Sequence, residues 1–351
     1  MFNFTRLELA RQRRRVTAKA LAELAGIAPV TLSRIVNAQQ TPDDSTIDAL
    51  ARALKYPRDF FFLDDVNPID VQAASFRSLT SMSARERDAA LSAGVLAFAV
   101  LEWVKQRYDL PPIDLIDLSH ERDPGKAARL LRQHWAIGEK PIGNMIKLLE
   151  TKGVRVFSLA EETKKVDAFS CWRDNEAFVF LNTFKSAERS RFDAAHELGH
   201  LVMHKHGGPQ GREAENEANA FASAFLMPHD DLVSHIPYVS SVEQIIRAKK
   251  RWGVAAVALA YRLNKLGRLT EWQYVQINRR YRSAEPDGLP HEKSAVWEMV
   301  LKDLWKQGVS KNHIARDLFI PAEEIEDLLF GLTVDPSPPL RNDSKERLRL
   351  L

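Results

Sequence analysis

The sequence predicts a mainly α-helical chain with one small β-sheet, an α+β fold. Apolar residues recur three and four apart over most of its length, which is the spacing of a helix face. Only residues 154–157, 168–172 and 177–181 read as short strands rich in Val and Phe, the last two joined by a hairpin turn at Arg173-Asp-Asn-Glu176. With 351 residues and 45% hydrophobic content, the chain is long enough for two or three separate cores.

Taken in order, residues 6–63 offer five short helical segments. Thr17 suits the N-cap of a helix over 18–25, Gly26 ends it, and 28–37 forms the next. Leu21, Ala22, Ile27, Leu32 and Ile35 face inward around an Ala-x-x-x-Gly-Ile turn, and Thr41-Pro42-Asp43 opens a segment running to Leu54. This pattern resembles the helix-turn-helix of Cro/C1 (XRE)-type repressors and implies such a domain over 1–63. In that fold the second helix of the motif enters the major groove and its first residues read base edges. Val30, Thr31, Ser33 and Arg34 are therefore the candidate DNA contacts, with Val30 suited to a thymine methyl. Ala28 and Ala18 stand where the family usually has Ser and Gln, so direct readout is thin, and the other reading is a protein-recognition or dimerisation module. Arg11, Arg13, Arg14 and Arg15 cluster in the first helix, where they either meet phosphates or form a solvated face.

The aromatic run Phe60-Phe61-Phe62 closes this first unit, residues 64–68 read as a boundary, and 76–78 begin a second unit. Residues 85–107 form one long helix with Leu91, Val95, Phe98, Leu101 and Trp103 among its apolar positions. As part of a connector over 64–112, it either packs on the next domain or pairs with its copy in a homodimer, and Pro111-Pro112 stops it. Helices at 123–135 and 142–152 precede the strands.

The chemistry sits in Phe192-Asp-Ala-Ala-His196-Glu197-Leu198-Gly199-His200-Leu-Val-Met-His204. Residues four apart on a helix share a face, so His196 and His200 can present ring nitrogens to one metal ion. Two neutral imidazoles and one more protein ligand leave a zinc ion a fourth position for water, whose pKa falls from about 15.7 towards about 7. Glu197 is the candidate catalytic base for that water. Two core histidines on an amphipathic helix would be the blander reading, but it leaves a buried Glu197 without a partner. His204 continues the stripe, yet eight residues of helix rise about 12 Å, too far for His196 and His204 to share an ion. It caps the helix or borders the cleft.

A second helix, from Glu213 to its stop at Pro228, supplies the third ligand. Glu215 is preferred because Asn219 lies one turn later on its face, in position to orient a ligand from the second coordination shell. Glu217 lies roughly 200° round the helix and stays in reserve. The run 189–204, with Glu215-x-x-Ala218-Asn219-x-Phe221-Ala222 and Leu226-Met-Pro228, resembles the ImmA/IrrE-type zinc metallo-endopeptidases. The resemblance implies a zincin-like domain, placed here at 113–282, with Glu215 as third ligand. It also implies a strand beside the zinc helix that holds an extended substrate by strand addition.

Beyond Pro228, helices at 242–252, 254–266 and 271–281 complete the core and wall the cleft. Residues 283–291 read as a linker. A helical element at 291–332 has the rhythm of a second helix-turn-helix, but Glu323, Glu324, Glu326 and Asp327 would repel phosphates, so it reads as a protein-contact element. Residues 333–351 are rich in Pro and charge and are expected to be disordered.

A net charge of +3 does not by itself diagnose a nucleic-acid binder. The one cysteine, Cys171, excludes an internal disulfide framework and reads as a core thiol. The N-terminus lacks a signal peptide's apolar stretch, and the most apolar window, 89–104, carries Glu102 and falls short of a membrane span. A cytoplasmic protein with no membrane partner is expected. The reading that joins these features is a zinc-dependent endopeptidase and transcriptional regulator that cuts a repressor-type protein. Mn2+ is an alternative to Zn2+ for two His and one Glu. Candidates to stabilise the oxyanion are His206, His229, His235 and Tyr238. The competing reading is a repressor whose metal-binding half acts as a sensor and cuts nothing.

Overall fold

Local signals set where the helices begin. Asn3 opens α1 (Phe4–Arg13) by accepting the backbone N–H groups of Thr5 and Arg6, and Thr17 opens α2 (Ala18–Ala25) through the N–H of Ala20. Gly26 ends α2 at a φ of +66°, a left-handed conformation that glycine adopts without steric cost. There follow α3 (Pro29–Val36), α4 (Asp44–Leu54) and a 3-10 turn at Arg58–Phe62. Leu7, Leu21, Leu32, Ile35, Leu50, Leu54, Phe60 and Phe61 are buried between these elements as one core. The computed structural model describes residues 1–70, 75–76, 82–159, 168–205, 211–283 and 285–333. The tail expected to be disordered lies almost wholly outside the described residues.

A two-residue strand, β1 (Ser75–Phe76), precedes α5 (Ala84–Lys105), which starts at a reciprocal capping box between Ser83 and Glu86. Next come α6 (Pro124–His134), α7 (Met145–Thr151), β2 (Arg155–Leu159), β3 (Ala168–Arg173) and β4 (Glu176–Asn182). The sheet order is β1-β3-β4-β2, with β3 antiparallel to both β1 and β4, and β2 parallel to β4. The β3–β4 turn is the expected one. Asp174 and Asn175 both have positive φ, +49° and +62°, the primed geometry that matches strand twist. β1 was not anticipated, since two residues carry no readable period.

Alternation along β3 divides the sheet into two faces. Phe169 stacks on Phe180 towards α5, and Phe98 of α5 packs on Phe178 at 4.6 Å between ring centroids. Gly94 permits this contact: a Cβ there would lie 3.3 Å from the Phe169 ring, 3.4 Å from Phe180 and 2.5 Å from Ile69. Ser170 and Trp172 face the other way, towards α8 (Ala187–Met203), where the Trp172 indole donates to the Leu201 carbonyl at 3.1 Å. Residues 89–98 of α5 are all buried, because α1 packs along it from the side away from the sheet. α5 therefore takes the packing role of the two expected for it.

The chain continues through α9 (Arg212–Leu226), α10 (His229–His235), α11 (Val242–Trp252), α12 (Ala256–Lys265) and α13 (Glu271–Tyr281). The segment read as a linker at 283–291 is instead tied down in its described part. Glu285 accepts the Ala256 N–H at 2.9 Å and lies 3.0 Å from the buried Lys249 Nζ, and the Leu289 N–H donates to Glu188. Proline and glycine mark the turns there but say nothing of the long-range ion pairs.

Last come α14 (Ala295–Lys306), α15 (Lys311–Asp317) and α16 (Ala322–Leu329). Trp297 packs tilted against Phe157 and donates to the Val156 carbonyl at 2.6 Å, closing the sheet face beside α5. The acidic residues of α16 hold the first domain. Glu324, fully buried, accepts from Arg13 at 2.7 Å and from the Tyr56 hydroxyl at 3.2 Å, and Arg14 lies 3.4 Å away. Arg13 also reaches Asp327 at 3.0 Å, while Arg11 pairs with Glu8. Arg11, Arg13 and Arg14 are thus engaged on carboxylates of the chain itself and form neither a phosphate patch nor a solvated face. Arg15 follows the end of α1 at a φ of +56°.

Candidate metal centre

β4 feeds α8 directly, and Ser186 caps that helix by accepting the Arg189 N–H. α8 lies across the sheet and is buried over most of its length. At 3.6 residues per turn, His196 and His200 stack on one face, 4.7 Å between ring centroids. α9 packs against this helix at Gly199, where a Cβ would sit 3.0 Å from the Phe221 ring. A side chain at 199 would push α9 away, and with it Glu215.

Donor atoms of three residues converge. His196 Nε2 and His200 Nε2 are 3.1 Å apart, Glu215 Oε2 is 3.4 Å from the first and Glu215 Oε1 3.3 Å from the second. Tetrahedral zinc with bonds of about 2.05 Å separates its ligand atoms by about 3.3 Å, and these separations, each imidazole measured to its nearer Glu215 oxygen, are of that size. Burial pushes His200 down to about 4 despite its bond to Glu215. Burial raises Glu215, but bonds and charges from His196 and His200 outweigh that and hold it at about 2. At neutral pH His200 is neutral and Glu215 ionised, the forms that ligate.

Glu217, the reserve ligand, is engaged elsewhere. His204 Nε2 lies 2.9 Å from Glu217 Oε2, and His204 Nδ1 lies 2.9 Å from His200 Nδ1. With His200 Nε2 turned to the metal position, its Nδ1–H donates to His204, whose Nε2–H donates to Glu217. The chain of bonds assigns one tautomer to each ring and fixes the orientation of His200. His204 also caps α8, as expected.

Glu197 is fully buried, and its Oε2 accepts a hydrogen bond from Ser170 Oγ at 2.7 Å. Sequence reasoning missed Ser170; the one available sign was a polar residue at an inward position of an apolar strand. Asn219 follows Glu215 by one turn and is half-buried. Of the oxyanion candidates, His229 pairs with Asp230, His235 with Asp231, Tyr238 is 70% exposed, and His206 lies outside the described residues.

Cys171, next to Ser170, is buried and its thiol is pushed up to about 12, by burial first, with Arg173 opposing and Glu197 adding. It is therefore a neutral core thiol. Iodoacetamide at pH 8 should leave the native protein unlabelled during the time in which the denatured chain takes one label; native labelling at the denatured rate would contradict this.

In the N-terminal domain, Leu32 and Ile35 anchor α3, while Val30, at 63% exposure, and the exposed Ser33 and Arg34 face outward, with Thr31 half-buried. Ala28 occupies the N-cap of α3 and makes no side-chain bond there. Residues 7–61 match the family model of the helix-turn-helix, and residues 149–264 match that of the IrrE N-terminal-like domain, a metallopeptidase family. The chain therefore carries a helix-turn-helix domain and an IrrE N-terminal-like domain, each over the residues matched. The helix-turn-helix domain marks it as a DNA-binding regulator, and the second domain as metallopeptidase-like. No curated protein matches the chain. Among the described residues, no helix is long and apolar enough to cross a membrane.

Proposed function

We propose that this regulator is a metal-dependent endopeptidase that hydrolyses a peptide bond in a repressor-type protein, with zinc as the resident ion and manganese as an alternative. The observation that carries the reading is the triangle of His196, His200 and Glu215 donor atoms with buried Glu197 on the same helix. When bound, the ion supplies Lewis acidity, making water acidic enough to lose a proton near neutral pH. Glu197 takes that proton and passes it to the leaving nitrogen. Ser170 holds the carboxylate in place for both transfers. His204 and Glu217 keep the His200 ring from rotating away. A purely structural zinc site would be closed by a fourth protein ligand and would need no base at 197.

An extended substrate adds to β3, the strand that carries Ser170. Its outer edge holds Ser75 opposite Ser170 and Phe76 opposite Phe169, so substrate competes with the chain's own residues for that edge. Replacing Ser75-Phe76 with Gly-Pro should lower KM severalfold at constant kcat; an unchanged KM would take β1 out of the substrate path.

The test of the function is to express the protein with its genomic neighbours and search by mass spectrometry for a metal-dependent fragment of a helix-turn-helix repressor. A fragment that requires Glu197 supports the endopeptidase. Uncut profiles with metal bound support a regulator that reads the metal without cutting, with operator binding through Val30, Thr31, Ser33 and Arg34 as its output.

A further inference from the structure

Charge is distributed very unevenly along this chain. Residues 242–283, covering α11 to α13, hold ten Lys and Arg against two Glu, a net +8 in a protein whose total is +3. Part of this charge is matched locally: Lys249 by Glu188 and Glu285, Lys250 by Asp287, and Arg251 by Asp231. Of the other seven, Arg262 is half-buried, and Arg247, Lys265, Arg268, Arg279, Arg280 and Arg282 are exposed and in no salt bridge among the described residues, although Arg280 and Arg247 feel the charge of Glu243. A folded domain seldom keeps six exposed cations outside salt bridges together without a use for their field.

The arrangement on α13 is ordered. Trp272, Val275, Arg279 and Arg282 fall at i, i+3, i+7 and i+10, one stripe of a helix, while Ile277 faces the interior at 2% exposure. Trp272 is 71% exposed and Val275 48%. Val275, Asn278, Arg279, Arg282 and Ser283 line a shallow groove along this stripe. On α12, Tyr261 is 45% exposed and lies 5.5 Å from Lys265 Nζ.

We propose that α11 to α13 form a second, sequence-independent DNA face, which binds the phosphate backbone of duplex DNA. Two observations select this partner. The helix-turn-helix domain already brings duplex DNA to the chain. Much of that domain's own arginine charge is used internally: Arg11 on Glu8, Arg13 and Arg14 on Glu324, and Arg58 on Asp44 and Asp48. The phosphate affinity that a thin reading helix needs is supplied by the exposed cations of α11 to α13.

The test uses the full chain and a random-sequence duplex, with affinity read by fluorescence anisotropy over a salt series. Each phosphate contact contributes about 0.9 to the slope of log Kd against log salt. Arg279→Ala with Arg282→Ala should lower that slope by about 1.8 and weaken binding at low salt at least tenfold, whereas Arg279→Lys with Arg282→Lys should keep it. Arg34→Ala should leave most of the slope in place. An unchanged slope in the alanine pair, or no random-duplex binding by the wild type, overturns the proposal. If the alanine pair instead loses binding to phosphatidylserine vesicles, or loses a dimer seen by light scattering, while DNA affinity holds, the face belongs to a membrane or to a second copy and the proposal fails.

Discussion

Glu197→Gln is expected to reduce peptide hydrolysis by about 10²- to 10⁴-fold, the usual contribution of a positioned general base, which corresponds to about 2.7–5.5 kcal/mol of barrier. Glutamine has the shape of glutamate, and its carbonyl can still accept the Ser170 hydroxyl, so packing around the fully buried side chain is kept. It cannot take a proton. The substitution leaves the three donor atoms of His196, His200 and Glu215 untouched, so metal content measured by atomic spectroscopy should remain at the wild-type level. His196→Ala should lose metal and activity together. The two variants separate a failure of chemistry from a failure of the site: a Glu197→Gln protein that binds metal and cuts at the wild-type rate would exclude Glu197 as the base.

Glu324→Ala is expected to destabilise the protein by about 3–5 kcal/mol, because it takes from the buried Arg13 its fully buried partner, leaving it the partly exposed Asp327, and leaves Tyr56 without its acceptor. The cost follows from burial: Arg13 is 8% exposed and Glu324 0%. Desolvating two ions consumes most of their mutual attraction, so breaking the pair is costly while replacing it is not. Arg13→Met combined with Glu324→Leu should therefore recover most of the loss. Urea midpoints of the wild type and the two variants check this, and a loss below about 1 kcal/mol in Glu324→Ala would show that solvent reaches the pair. Since Arg13 lies in α1 and Glu324 in α16, the same variant should loosen the helix-turn-helix domain from the C-terminal helices.

The sequence by itself determined whatever depends on neighbours along the chain. The caps at Thr17 and Ser186 and the positive-φ turn at Asp174-Asn175 are local hydrogen-bonding and steric preferences. The placing of His196 and His200 on one helix face follows from 3.6 residues per turn alone, whereas Glu215 reaches them only because α9 packs on α8 at Gly199. Tertiary structure decided what depends on packing between distant segments. Glu217 meets His204 instead of the metal position because α9 approaches α8 at Gly199. Ser170 reaches Glu197 only because β3 lies under α8, and Ser75–Phe76 pairs with β3 only because the chain returns to that edge. Arg13, one of four neighbouring arginines with the same local pattern, is buried on a carboxylate 311 residues away. No periodicity encodes that partner, since an ion pair across helices is chosen by which faces the whole core brings together.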